Sequence, residues 1–71
     1  MQRYLIVIEP TGAGFSAYSP DLPGCVSTGA TRPEVEANMR EAVALHLEGL
    51  REDGEPMPPP QTYATYVEVA A

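Results

Sequence analysis

The sequence predicts an α+β fold in the order β-β-β-α-β, an antiparallel meander with one helix packed on one sheet face. Three observations predict it. Residues 3–9 (RYLIVIE) are dense in β-branched and aromatic side chains, as a strand apolar on both faces requires. A stretch beginning at Thr31 carries apolar residues at helical spacing between a start signal and a stop signal. Residues 62–69 (TYATYVEV) alternate, with Tyr63, Thr65, Val67 and Val69 on one face.

Each element has a local cause. After the first strand, Thr11-Gly12-Ala13-Gly14 reads as a tight hairpin turn, because glycine tolerates the positive φ such turns need. Phe15 to Tyr18 alternates as the returning strand, and a short third strand is expected around Cys25 to Thr28. Thr31-Arg32-Pro33-Glu34 is a capping box: Thr31 can accept from the Glu34 amide, Glu34 can reach back, and Pro33 sits where a missing donor costs little. Val35, Met39, Ala42, Val43, His46, Leu47 and Leu50 then form one apolar stripe, which Asp53-Gly54 brings to a stop. Residues 56–60 (PMPPP) predict a stiff extended connector to the last strand. The helix can cover one sheet face only. Tyr4, Ile6 and Ile8 lie on one face of the first strand and Leu5 and Val7 on the other, so an apolar face is left for a partner or for self-association.

Composition narrows the function classes. The 71 residues read as one domain, 1–71, and a chain this short buries only about 60% of its unfolded surface, which favours a homodimer or higher oligomer. A single cysteine excludes an internal disulfide. The apolar run from Tyr4 to Ile8 is too short for a membrane span, so no membrane contact and a cytoplasmic location are expected. Four arginines, no lysine and ten acidic residues give a net charge of −6. Direct nucleic-acid binding is therefore not expected, since that affinity is built on basic contacts to phosphate. An acidic surface suits a basic protein partner, although acidity also serves plain solubility.

The stretch SPDLPGCVSTG (residues 19–29) places a thiol and a carboxylate on a glycine-containing loop and has the look of a reactive site. Its chemistry is incomplete. Cys25 precedes the helix by several residues and has no histidine or cation beside it in sequence, so it reads as a small buried hydrophobe. Asp21 lacks a second carboxylate to share acid–base work and reads as the acceptor of local amides in an Asx-type turn. His46 lies on the buried helical stripe, as a core or interface residue. One Cys and one His do not make a metal site. No catalytic residue, metal or cofactor is expected, and the chain does not read as an enzyme.

Asp21-Leu22-Pro23-Gly24-Cys25, followed by Gly29, Thr31, Glu34, Asn38, Glu41 and Ala42, resembles the HicB-like antitoxin family, with its D-L-P-G-C turn, G-x-T capped helix and N-x-x-E-A stretch. Residues 52–58 (EDGEPMP) are similar to the family's acidic, glycine- and proline-containing helix exit. The likeness covers nearly the whole chain. It implies a fold similar to a truncated ribonuclease H core without its catalytic acids. It also implies an antitoxin that binds and neutralises a small basic HicA-type toxin, an mRNA-cleaving ribonuclease with a double-stranded-RNA-binding-like fold. Many members continue into a C-terminal DNA-binding segment. None is seen here, so operon autoregulation through DNA is not expected. Asp21, Leu22, Pro23, Gly24, Cys25, Gly29, Thr31 and Glu34 carry the motif as turn and cap; the partner contact is expected on the sheet edge, on the acidic helix face marked by Glu41 and Glu48, or on both. The competing expectation is a stand-alone homo-oligomeric module that binds a ligand or another protein, with no toxin.

Overall fold

A computed structural model of the protein describes residues 2–71. Three strands, β1 (Val7–Pro10), β2 (Phe15–Tyr18) and β3 (Val26–Gly29), form an antiparallel sheet in the order β1-β2-β3, and helix α1 (Arg32–Glu52) follows. The expected order therefore holds through the helix. The expected last strand does not form: residues 53–71 contain no strand, and Tyr63, Tyr66, Val67 and Val69 are exposed. Alternation alone makes no strand without a hydrogen-bonded neighbour, and this segment has none among the described residues.

Strand bounds shift for the same reason. The expected first strand begins at residue 3, but β1 pairs only from Val7, opposite Tyr18, because the chain turns away beyond β2. One contact extends the join: the Ser19 hydroxyl donates to the Leu5 carbonyl at 2.9 Å, which satisfies the buried Ser19. β3 starts one residue later than expected, at Val26, since the Cys25 N–H and C=O are both used in the turn before it.

The register fixes the two faces. Ile8, Ala17 and Ser27 lie in one row, and Val7, Tyr18 and Val26 in the adjacent row on the opposite face. Helix α1 covers the first face. There Ala17, Leu22, Cys25, Val35 and Met39 are buried, with Tyr4, Ile6, Ile8, Phe15, Ala42, Val43 and Leu47 packed around them. Full burial of Leu22, Val35 and Met39 contributes about 1.5–3 kcal/mol each. The other face is open, with Val26 64% and Tyr18 42% exposed.

The helix ends follow the sequence signals. The Glu34 N–H donates to Thr31 Oγ1 at 3.2 Å, which is one half of the expected capping box, and Pro33 lies in the first turn. At the other end Gly54 has φ +70°, its N–H donates to the Arg51 carbonyl, and the Glu55 N–H donates to the Leu50 carbonyl. That pair of bonds is a Schellman close. The connector then crosses back over the sheet end, where the Tyr4 hydroxyl donates to the Pro58 carbonyl.

Gly29 joins sheet to helix. A Cβ there would lie 2.6 Å from the Val35 nitrogen and 2.8 Å from its Cα, both backbone atoms that cannot swing aside. Gly29→Ala is therefore expected to destabilise the fold by about 1–3 kcal/mol in chemical denaturation, the range for overpacking. Leu22→Ala is expected to cost about 3 kcal/mol through a cavity at the centre of the core.

Candidate functional site

The DLPGC stretch is a double turn. The Leu22 N–H donates to the Ser19 carbonyl at 3.1 Å and closes the first turn, with Pro20 and Asp21 at its corners. The Cys25 N–H donates to the Leu22 carbonyl at 3.0 Å and closes the second, with Pro23 and Gly24 at its corners. Gly24 has φ +83°, as a type II turn demands of its third residue. The Ser19 N–H then donates to the Cys25 carbonyl at 3.2 Å, so the loop's two ends are bonded together. This geometry drives Leu22 into the core and leaves Pro23 and Gly24 exposed.

Cys25 is 4% exposed, and burial raises its thiol pKa above the ordinary value. That environment suits packing rather than nucleophilic chemistry. His46 is half-buried on the helix, as expected of the stripe. Among the described residues, no group of three or more His, Cys, Asp or Glu side chains converges as metal ligands, and no helix is long and apolar enough to cross a membrane.

Asp21 differs from expectation. Its carboxylate does not close a local Asx turn; it holds the far end of the connector. Oδ2 accepts from the Thr62 N–H at 2.9 Å and the Gln61 N–H at 3.0 Å, and Oδ1 accepts from the Thr62 hydroxyl at 2.7 Å. The Thr62 N–H and then its hydroxyl hold the Asp21 carboxyl below the ordinary aspartate range. The Gln61 N–H adds to the effect, while partial burial opposes it. No local pattern signals this contact, because Thr62 stands 41 positions away.

The helix presents a second surface. Glu34, Glu41, Leu45, Glu48 and Glu52 recur at spacings of seven, four, three and four, a single stripe opposite the core-facing residues Val35 and Met39. All five are exposed, Leu45 by 60%, and Arg51, three residues after Glu48, borders the stripe at its C-terminal end. Glu41 and Glu48 thus lie where the sequence puts them, with Leu45 between them as an apolar centre that charge patterning alone does not single out. Asn38, near the same stripe, does something else. Its side-chain amide donates to the Thr28 carbonyl at 2.8 Å, on the outer edge of β3.

Two outcomes follow from the turn. The folded Asp21 pKa is depressed, so its contribution is complete above the unfolded value of about 3.9 and is lost as pH falls through the lower folded value. The Thr62 amide resonance should titrate with a midpoint below about 3.9, and Asp21→Ala should abolish that titration and the exchange protection of the Gln61 and Thr62 amides. Cys25 should alkylate slowly at neutral pH in the folded protein, and Cys25→Ala should cost about 1 kcal/mol of stability.

Comparison with known proteins agrees with the motif. A family model described as the HicB_like antitoxin of bacterial toxin-antitoxin system matches residues 4–70. An uncharacterized 14.9 kDa protein from the rep-hol intergenic region of Haemophilus phage HP1 is 39% identical over 64 residues. The match covers 90% of this chain and 48% of that protein, so the chain spans about half the length of this relative. The UPF0150 protein Ta0767 of Thermoplasma acidophilum is 32% identical over 57 residues, covering 79% of this chain and 83% of that one. Among solved structures, a chain of the HicA3 and HicB3 toxin-antitoxin complex superposes with a TM-score of 0.72 at 42% identity, covering 83% of this chain and 70% of that chain. The antitoxin HicB3 crystal structure superposes with a TM-score of 0.68 at 42% identity, covering 80% and 42%. With the double turn, the capped helix and these matches in agreement, the chain belongs to the HicB-like antitoxin family.

Proposed function

We propose that the protein is an antitoxin that binds and neutralises a small basic HicA-type toxin, an mRNA-cleaving ribonuclease, through the acidic stripe of α1. The observation that carries this reading is the family membership, joined to a solved relative that is a toxin–antitoxin complex. The physical support is charge. Net −6 is spread over a surface with an acidic stripe on α1, which speeds encounter with a basic partner and orients it. Leu45, 60% exposed, gives that stripe an apolar centre for a partner to cover, and the surrounding carboxylates supply a polar rim. Inhibition then needs no catalytic group on this chain: occupying the toxin's basic RNA-binding surface removes the contacts on which its phosphate affinity depends.

The test is co-expression with a HicA-type toxin, followed by size-exclusion chromatography with light scattering and an RNA-cleavage assay. A stable complex with suppressed cleavage is the expected result; a toxin that cleaves RNA undiminished in a large excess of this protein refutes the reading. Charge reversal at Glu41→Lys and Glu48→Lys together should weaken binding on the order of 10-fold or more at low salt, mainly through slower association. Unchanged affinity would move the contact from the helix to the open sheet face.

A further inference from the structure

Residues 62–69 have the composition of a strand and no strand beside them. Tyr66 is fully exposed and Val67 is 79% exposed. Successive residues of an extended chain point to opposite sides, so neither side of the segment is covered. The radius of gyration is 13.9 Å, against about 11 Å for a compact chain of this length. The segment is an arm that leaves the body of its own fold.

A matching open edge lies along β1, which has a hydrogen-bonded neighbour on one side only. The Leu5 carbonyl and the Thr11 N–H both bond toward the β2 side, to Ser19 Oγ and the Gly14 carbonyl. By alternation the main-chain groups of Tyr4, Ile6 and Ile8 face outward, unpaired. Beside that edge, between β1 and α1, runs a groove with Tyr4, Ile6, Ile8 and Val43 in it and Glu36 and Arg40 at its rim. The edge from residue 3 to residue 10 is eight residues long, and so is the arm.

We propose that residues 62–69 form a strand on the β1 edge of a second copy of this chain, and that the second copy returns the same strand. The arm's Tyr63, Thr65, Val67 and Val69 row fills the groove over Ile6, Ile8 and Val43, and its main chain satisfies the outward groups of Tyr4, Ile6 and Ile8. The arm does not serve its own edge. The Asp21 carboxylate pins Gln61 and Thr62 at the sheet end, a cleft lies between residues 62–64 and residues 3–6, and beyond it Tyr66, Val67 and Val69 are exposed. Charge does not oppose the pairing, because Glu68 is the arm's one ionised side chain in eight residues. Reciprocal exchange closes with two-fold symmetry. This pairing is independent of any toxin.

The experiment uses the 71-residue chain, half labelled with nitrogen-15 and half with carbon-13, mixed after unfolding and refolded together. Light scattering should give a mass of two chains. Nuclear Overhauser contacts should connect the Val67 or Val69 methyls of one label to the Ile6 or Ile8 methyls of the other. Val67→Pro, which removes an arm donor in both halves, should weaken the dimer on the order of 100-fold. The helix amides should keep their exchange protection, because the arm touches nothing of its own core. A monomer at several hundred micromolar, arm contacts confined to one chain, or a dimer indifferent to Val67→Pro and held by the Val7–Tyr18–Val26 face would each overturn the proposal.

Discussion

The approach of α1 to the end of β3 is the constraint on which the rest of the structure depends. At Gly29 the two backbones meet with no room for a side chain, and a Cβ on Gly14, at the end of the hairpin turn, would likewise lie 2.5 Å from the Gly29 carbonyl oxygen. Three segments therefore converge on one residue. The helix axis is set low over the sheet, so Val35 and Met39 reach full burial against Ala17, Leu22 and Cys25. A domain of this size has little core to spare. An added methyl group at the junction would lift the helix along its length and loosen all five buried side chains together.

That one-sided packing shapes the chemistry available at the surface. One face of the sheet is spent on the helix and one face of the helix on the sheet. What remains is a carboxylate-lined helical stripe and an open row of Val7, Tyr18 and Val26. Neither surface gathers the acid, base and nucleophile that covalent catalysis requires. Both are extended and differ in character, one charged and one apolar. The DLPGC turn serves both indirectly: it seats Leu22 in the core and holds the exit of the connector through Asp21.

The legible parts of the fold are the local ones. Thr31, Pro33 and Gly54 mark the helix ends because caps are made within a few residues of where they appear, and each stands in the structure as the spacing implies. The glycines and prolines at positions 20–24 likewise place the turn. Asp21 is not legible in the same way, since an aspartate in a turn looks the same whether it bonds the next two amides or two amides 40 and 41 positions away. Residues 62–69 mislead for a different reason. Period-two alternation reports which sides of an extended chain are apolar, but it carries nothing about where a neighbouring strand lies. The outer surface is legible at Glu41 and Glu48, where charge stands out, and not at Leu45, whose exposure depends on which helix face the sheet occupies.

The bond from Asn38 to the Thr28 carbonyl has a consequence for assembly. A three-stranded sheet has two borders, and each invites another chain to extend it. On the β3 border the helix reaches over and occupies an outward carbonyl with a side-chain amide, so an incoming strand would first have to displace it. The β1 border carries no such plug, and Pro10 withholds its own donor only at the last position. Growth by sheet extension is thus directional. Copies joined through β1 would have no second equivalent border to offer, so such an assembly would close as a finite particle rather than grow into a fibre.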